Sequence, residues 1–166
     1  MSVDSYRFLP RSLAAFFQAA PVARPGIIPF SPLSKPLADC SVALVTTAGL
    51  HLRDEQPPFD LDRERREPAW GDPSFREIPA SVRQDQIGAS HLHYNTADTL
   101  EDVNCVFPIH RLHEAQRAGR IGAVAPTHYS FMGFQLDQHE QVERYVPQVV
   151  QQLRRDAVDA ALLTPA

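Results

Sequence analysis

The sequence predicts an α/β fold: a single three-layer domain with a mostly parallel sheet and an extended, proline-rich N-terminal arm. Two apolar runs, at residues 41–48 and 160–164, suit strands that are buried on both faces. Between them, residues 101–133 alternate between apolar runs and helical spacing. The chain has 15 prolines against 7 glycines, which indicates long, stiff connections rather than disorder.

Residues 101–133 are the segment on which this prediction depends most. An apolar run at 103–107 predicts a buried strand, and Pro108 ends it because proline cannot donate to a strand ladder. Helical spacing follows, and Gly119 stands where a helix favours a left-handed residue after its last turn. A second apolar run at 121–125 completes a strand–helix–strand unit. Such a unit predicts a right-handed crossover between parallel strands.

Residues 1–36 are predicted to form an N-terminal helix and the arm, and residues 37–166 the α/β domain. Leu13, Phe16 and Phe17 recur at helical spacing, which favours an amphipathic helix over a signal peptide. Four prolines then force an extended path. Apolar residues of this arm are expected to contact the domain or a neighbouring subunit, namely Ile27, Ile28, Phe30 and Leu33.

The composition argues against two classes of partner. The net charge is −4 and no basic stripe carries interleaved aromatic residues, so no nucleic acid is expected as a partner. No apolar run approaches the roughly 20 residues of a membrane-spanning helix, so no membrane is expected either. Both cysteines, Cys40 and Cys105, lie in or beside apolar runs, which predicts buried, reduced thiols in a cytoplasmic protein. A nucleophilic Cys105 is the alternative, but burial would leave little thiolate.

Polar residues follow two of the predicted strands where those strands end. They form two sets, one after each strand: Thr46, Thr47, Gly49 and His51, and then His128, Tyr129 and Ser130 of the segment PTHYSFMG. Open parallel sheets bind ligands beyond the carboxyl ends of their strands. We therefore predict that both sets line one pocket, with simple loop closure as the alternative.

A metal site is a weaker hypothesis. His91 and His93 are two residues apart, so on a strand both rings would point to one face, as a divalent cation requires. A third ligand would have to come from His51, His128 or a carboxylate, and no spacing fixes it. Polar loop or subunit contacts are favoured for these histidines, and no cofactor is predicted within the chain.

Several stretches of the chain resemble one known family. They are VALVTTAGLHLRDEQPPFD with GDPSFREIP, DVNCVFPIHRLHEAQRAGRIG with PTHYSFMG, and DAVDAALLTP near the end. Together they resemble the selenoprotein B family of the glycine, sarcosine, betaine and D-proline reductases. The resemblance covers most of the chain after residue 37.

The resemblance implies an oxidoreductase subunit that cleaves a carbon–nitrogen bond alpha to the carboxylate of a small amino-acid-like substrate. A selenocysteine selenolate is the implied nucleophile, thiols are the implied reductant, and the subunit is expected in a homo- or hetero-oligomer. The implied catalytic residues are His51 and His128. The implied substrate-binding residues, which would hold a carboxylate or donate a proton, are Thr46, Thr47, Gly49, Tyr129 and Ser130.

The family pattern places a redox-active selenocysteine or cysteine after the LLTP strand, where this sequence reaches Ala166. One explanation is that a selenocysteine codon was read as a stop, which would truncate the product. The other is a genuine short form without that nucleophile. In the second case the chain is a non-catalytic binding or assembly module that pairs with another subunit.

Overall fold

The computed structural model describes residues 7–19 and 30–166, apart from the side chains of Phe16 and Phe17. The chain divides into two compact units, residues 1–32 and 33–166. In the first unit, helix α1 (Arg11–Ala19) confirms the predicted N-terminal helix. The predicted contacts of Ile27 and Ile28 lie outside the described residues. In the second unit, Leu33 is 49% exposed, and its contact with the domain or with a neighbouring subunit stays a prediction.

The second unit contains the remaining helices and strands. In chain order they are β1 (Ser41–Thr46), β2 (Leu50–Leu52), α2 (Leu61–Arg66), β3 (Phe75–Pro79), β4 (Ile87–Ala89), α3 (Thr96–Glu101), α4 (Ile109–Arg117), β5 (Ala123–Val124), β6 (Thr127–Phe131), α5 (Val146–Arg155) and β7 (Ala160–Thr164). A π-helical segment, Gln141–Tyr145, leads directly into α5. No helix among the described residues is both long and apolar enough to cross a membrane.

Strand β1 lies at the centre of the main sheet. On one side it pairs in parallel with β7 over residues 42–46. On its other side it pairs in parallel with β5 at Val42 and with β6 at Val45, so β5 and β6 form one strand line interrupted near Pro126. Strand β3 adds to β6 in the antiparallel direction. The predicted α/β class with a mostly parallel sheet is therefore confirmed.

Helices cover both faces of this sheet, as the three-layer prediction requires. Side chains alternate along each strand, so Leu44 and Val45 point to opposite faces. Leu44 packs in a cluster with Ile109 and Leu112 of α4. On the other face, Val45 packs with Tyr129 and with Val149 of α5. Strands β2 and β4 form a separate two-stranded antiparallel ladder, and their apolar side chains join the α4 cluster.

The apolar run at 103–107 is not a strand, contrary to the prediction. Residues Val103–Cys105 form a 3₁₀ turn whose first free N–H is satisfied by Gln84 Oε1 at 2.7 Å. Val103 and Phe107 still enter the core, because the turn places both side chains inward. The predicted helix follows as α4, and Gly119 after it has φ +67° as expected. Because its first strand is absent, the predicted strand–helix–strand unit is wrong.

The segment predicted as a ligand loop is mostly strand. Residues Thr127–Phe131 form β6 between β1 and β3, and four of its five residues are buried. Two of the polar residues stay inside because backbone N–H groups of neighbouring strands donate to them, Leu44 N–H to His128 and Leu50 N–H to Ser130.

The last predicted strand exists, but it is not buried. Strand β7 has its outer edge unpaired among the described residues. Its Leu162 and Leu163 are 47% and 68% exposed. Because these neighbours point to opposite faces, the edge presents apolar surface on both sides of the sheet.

Candidate functional site

The carboxyl ends of β1, β6 and β7 meet at one edge of the sheet, because the three strands run in the same direction. The Thr47 N–H donates to Thr164 O at 3.3 Å. The Ala166 N–H in turn donates to Thr47 Oγ1 at 3.0 Å. The Gly49 N–H donates to Phe131 O at 2.9 Å, which ties the end of β6 to the same point.

A cleft of about 210 Å³ opens at this carboxyl edge. Its walls come from Thr47 after β1, from Met132 and Gly133 after β6, and from the helix that packs above them. Three glutamines also line it, namely Gln135, Gln138 and Gln141. Hydroxyl and amide groups without net charge suit a small polar ligand, held by hydrogen bonds rather than by a full ion pair.

At Gly133, the wall of the cleft lies close to three other groups of the protein. A Cβ atom on Gly133 would lie 3.0 Å from Thr47 O, 3.2 Å from Ala166 O and 3.2 Å from His91 Nε2. A side chain at this position would require these three groups to move apart by a few tenths of an ångström. His91 thus lies directly behind the wall of the cleft.

The His91 ring is neutral and its tautomer is fixed. Burial, followed by the nearby His93, lowers the pKa of His91 to about 4. The His93 backbone N–H, which can only donate, lies 3.0 Å from His91 Nδ1, so the ring proton resides on Nε2. Nε2 is buried and has no partner among the described residues. His91 Nε2–H is therefore an unsatisfied donor beside Gly133.

The loop that carries His91 is held at three points. His93 Nε2 lies 2.8 Å from a carboxylate oxygen of the buried Glu64. The Tyr94 hydroxyl donates to Ala48 O at 2.9 Å, immediately after β1. The His93 ring also packs on Phe134, with 4.3 Å between centroids. These contacts fix the loop against the end of β6.

Of the seven predicted site residues, Thr47 lines the cleft. The Thr46 hydroxyl is instead buried within 3.0 Å of the carbonyls of Val106 and Thr164, and it accepts a hydrogen bond from Ala48 N–H. Ser130 Oγ is buried and accepts from Leu50 N–H at 2.7 Å. Both hydroxyls hold the ends of strands together.

Gly49 and His51 lie where β1 turns into β2. Gly49 has φ +65°, and a Cβ atom there would lie 2.1 Å from Ser90 O. His51 lies on β2 with its ring against Gly88 of β4. Burial lowers the pKa of His51, with a smaller contribution from Arg76 and Arg53. Its catalytic role stays a prediction, and its ring faces the small sheet.

His128 and Tyr129 point to opposite faces of β6. His128 is fully buried against the Phe107 ring, and burial lowers its pKa to about 4. Tyr129 faces α5 and contacts Phe75 edge-on. The predicted loop that was to bring both side chains to one pocket with His51 is therefore not formed. The catalytic role of His128 stays a prediction.

The histidines of the metal hypothesis lie in a loop, not on one face of a strand. Their rings are nearly perpendicular, at 87°. His91 Nδ1 and His93 Nε2 already have partners. Within residues 7–19 and 30–166, no group of three or more histidine, cysteine, aspartate or glutamate side chains could hold a metal ion.

The two cysteines differ in exposure. Cys40 is fully buried, as predicted, and its Sγ lies 3.3 Å from Pro36 O. Cys105 is exposed, so the prediction of a buried core thiol is wrong for this residue. The reason is the 3₁₀ turn, which sends Val103 inward and Cys105 outward.

Sequence reasoning did not identify His91 as a hydrogen-bond donor at the carboxyl edge. Its two decisive contacts, with His93 N–H and Gly133, depend on loop conformation and on a residue 42 positions away. A usable signal was the cluster of polar residues directly after β4, in the run SHLHYN.

Comparison with known proteins shows which family the chain belongs to. The model of the glycine/sarcosine/betaine reductase selenoprotein B family matches residues 15–166. The chain belongs to that selenoprotein B family. It is also similar to the D-proline reductase subunit gamma of Acetoanaerobium sticklandii, with 37% identity over 144 residues. That match covers 87% of this chain and 55% of the relative.

This member of the selenoprotein B family thus spans about half the length of the curated relative that it matches. No solved structure gives a significant match to the chain. The resemblance on residues 42–60, 71–79, 102–122 and 156–165 is confirmed by the family match.

Proposed function

We propose that this chain forms the substrate cleft of a reductase that cleaves the carbon–nitrogen bond alpha to a carboxylate in a small amino-acid-like compound. The cleavage consumes two electrons and two protons. Two thiols become one disulfide, the amine leaves with the bonding pair and one proton, and the α-carbon takes the two electrons and the other proton. The observation that carries this proposal is an uncharged cleft at the carboxyl edge of the sheet, in which a threonine and three glutamines stand among apolar side chains, in a member of the selenoprotein B family.

Thr47 and the glutamines are the proposed contacts to the substrate carboxylate. Thr47 Oγ1 already accepts from Ala166 N–H, so its own O–H remains to donate. The amide groups of Gln135, Gln138 and Gln141 supply further donors on the opposite wall. In a cleft without a charged lining residue, such donors recognise the carboxylate while leaving room for different amines.

His91 is the proposed donor to the reacting group. Its Nε2 atom lies 3.2 Å from the position that a Cβ atom on Gly133 would take, and Ala166 O lies 3.2 Å from the same position. A selenol or thiol carried by a segment or subunit that packs next to Ala166 would meet this N–H. A hydrogen bond to the selenolate or thiolate would favour the anion, which is the nucleophilic form. The selenocysteine itself is proposed from the family resemblance.

Turnover by the complex that contains this chain tests the proposal. The complex from the host is given dithiothreitol with glycine, sarcosine, betaine or D-proline, and bond cleavage and disulfide formation are measured together. Thr47→Val keeps the shape and removes the hydroxyl, so we expect kcat/KM to fall about ten-fold or more. Thr96→Val, at the start of α3 and outside the cleft, is the matched control. An intact complex that cleaves none of the four compounds would overturn the proposal.

The exposed edge of β7 favours a second candidate, a non-catalytic module that assembles with another subunit. Leu162 and Leu163 present apolar surface on both faces of an unpaired strand. Val142, Val146 and Val150 form an exposed stripe at helical spacing on the neighbouring layer. The matched relative is itself named a subunit.

We also propose a location for the protein. The thiol-dependent reaction proposed above suits the reducing cytoplasm.

Association can be measured independently of turnover. We expect Leu163→Glu to weaken assembly in analytical ultracentrifugation of the host complex, because a charge would be buried at the edge. Leu136→Glu, an exposed leucine outside β7, is the control. A complex that forms equally well with Leu163→Glu would contradict docking at this edge.

A further inference from the structure

A second polar cavity lies at the opposite edge of the sheet from the cleft. Its volume is about 310 Å³. It is lined by Glu77 of β3, Thr127 and Tyr129 of β6, and Gln152, Arg155 and Asp156 at the end of α5. Tyr129 of β6 lines this cavity and Phe131 of the same strand lines the cleft, so the two sites lie on one strand but share no lining residue.

Tyr129 is the buried polar group of this cavity. Its side chain is 1% exposed, and its ring is fixed against Phe75, with 6.0 Å between centroids. The hydroxyl makes no hydrogen bond to any described residue, yet Tyr129 lines the cavity. Burial, with Asp156 and Glu77, raises the pKa of Tyr129 to about 12, so the group stays a neutral O–H donor.

Charges of both signs surround that hydroxyl. Glu77, Arg155 and Asp156 line the same cavity as Tyr129. The two carboxylates raise the pKa of Tyr129 and Arg155 lowers it. None of the three takes part in a salt bridge within the described part of the chain. Gln152 completes the wall, and its Oε1 has no partner among the described residues.

We propose that this cavity binds a small zwitterion, with the carboxylate on Arg155 and the Tyr129 hydroxyl and the ammonium group between Glu77 and Asp156. An anion alone would meet two carboxylates, and a cation alone would leave Arg155 and the phenol donor unmatched. A molecule with both groups satisfies all of them, and an amino acid of five or six heavy atoms besides the carboxylate fits the volume. The proposal is independent of the substrate cleft, because the two sites share no residue.

Calorimetric titration of the full chain with three matched probes tests this inference. D-proline carries both charges, pyrrolidine lacks the carboxylate, and cyclopentanecarboxylate lacks the ammonium group. We expect D-proline to bind at least ten-fold more tightly than either of the others. Equal binding of the three probes, or no binding of D-proline at millimolar concentration, would overturn the zwitterion site.

A pair of tyrosine variants locates the binding. Tyr129→Phe removes an unpartnered hydroxyl, so we expect unchanged stability and D-proline binding that is about ten- to a hundred-fold weaker. Tyr145→Phe changes a tyrosine of the same aromatic cluster that does not line the cavity, and it should bind as the parent does. Arg155→Met, on the exposed rim, should weaken binding by at least ten-fold without affecting folding.

The outcomes separate this site from the proposed reductase function. If Thr47→Val weakens D-proline binding and Tyr129→Phe does not, the ligand occupies the cleft and the second site is refuted. If Tyr129→Phe weakens binding in a complex that cleaves none of the four candidate substrates, the second site stands and the reductase proposal fails.

Discussion

The Nδ1 atom of His128 accepts a hydrogen bond from the backbone N–H of Leu44 at 2.8 Å, in the middle of the main sheet. Leu44 lies between the residues of β1 that pair with β5 and those that pair with β6. Near Pro126 the strand line is interrupted, and the ladder would leave this N–H without an acceptor. The imidazole takes the place of the missing backbone carbonyl.

We therefore expect His128→Leu to destabilise the protein by about 1–3 kcal/mol, because the variant keeps the volume and leaves a buried N–H unsatisfied. The free energy of unfolding in urea measures this. His139→Leu changes an exposed histidine and should lie within about 0.5 kcal/mol of the parent. A His128→Leu protein as stable as the His139→Leu control would show that Leu44 finds another acceptor.

The depressed pKa values of His91 and His128 predict acid sensitivity. Both are about 4 in the folded chain, against about 6.5 in an unfolded one. Between pH 6.5 and pH 4 the unfolded chain binds more protons, so stability is complete above about pH 7 and is lost as the pH falls. Each histidine should lower the free energy of unfolding by about 2 kcal/mol at pH 5 relative to pH 7.

Urea unfolding at pH 7 and pH 5 measures how much the free energy of unfolding depends on pH. In His128→Leu the loss between the two pH values should be smaller than in the parent by about 2 kcal/mol. His139→Leu should retain the full slope. An unchanged slope in His128→Leu would mean that His128 titrates near its ordinary value in the folded protein.

A strand could be predicted from the sequence where its own residues are mostly apolar. The runs at 41–46 and 160–164 are aliphatic, and both are strands. The sequence of β6, THYSF, is polar and therefore predicts a loop. The N–H groups that satisfy His128 and Ser130 belong to Leu44 and Leu50, which are distant in sequence, so no local pattern reveals the strand.

The opposite error occurred at 103–107, where apolar composition indicated a strand. A turn buries Val103 and Phe107 equally well, and contact with Gln84, nineteen positions earlier, satisfies its backbone. The site shows the same limit. Thr47 could be placed at a strand end from its local pattern, whereas His91 reaches that edge through loop contacts that no local pattern reveals.

Gly49 and Gly119 allow the effect of close neighbours at Gly49, after β1, to be separated from the effect of a left-handed backbone. Both have a left-handed backbone, with φ +65° and +67°. A Cβ atom at Gly49 would lie 2.1 Å from Ser90 O, whereas nothing lies within 4 Å at Gly119. Gly119→Ala should therefore cost only the conformational strain, about 1–2 kcal/mol, and Gly49→Ala considerably more.

Thermal and urea unfolding of the two variants measure the difference. We expect Gly49→Ala to lose at least about 3 kcal/mol, since the Ser90 backbone must move as well. If the two variants are equally stable, the close contact between Gly49 and Ser90 does not constrain the fold. The backbone between β1 and β2 could then move away from Ser90 at little cost.

The two thiols should react at very different rates with iodoacetamide at neutral pH. Cys105 is exposed on the turn before α4, while Cys40 is fully buried and its Sγ lies against the Pro36 carbonyl. Alkylation of Cys40 requires opening of the chain around β1, so we expect it to be at least about a hundred-fold slower than that of Cys105.

Peptide mass spectrometry over time distinguishes the two thiols, and Cys105→Ser should remove the fast phase of alkylation alone. Equal rates without denaturant would show that the segment before β1 opens freely, and a slow Cys105 would show that the turn is covered in solution.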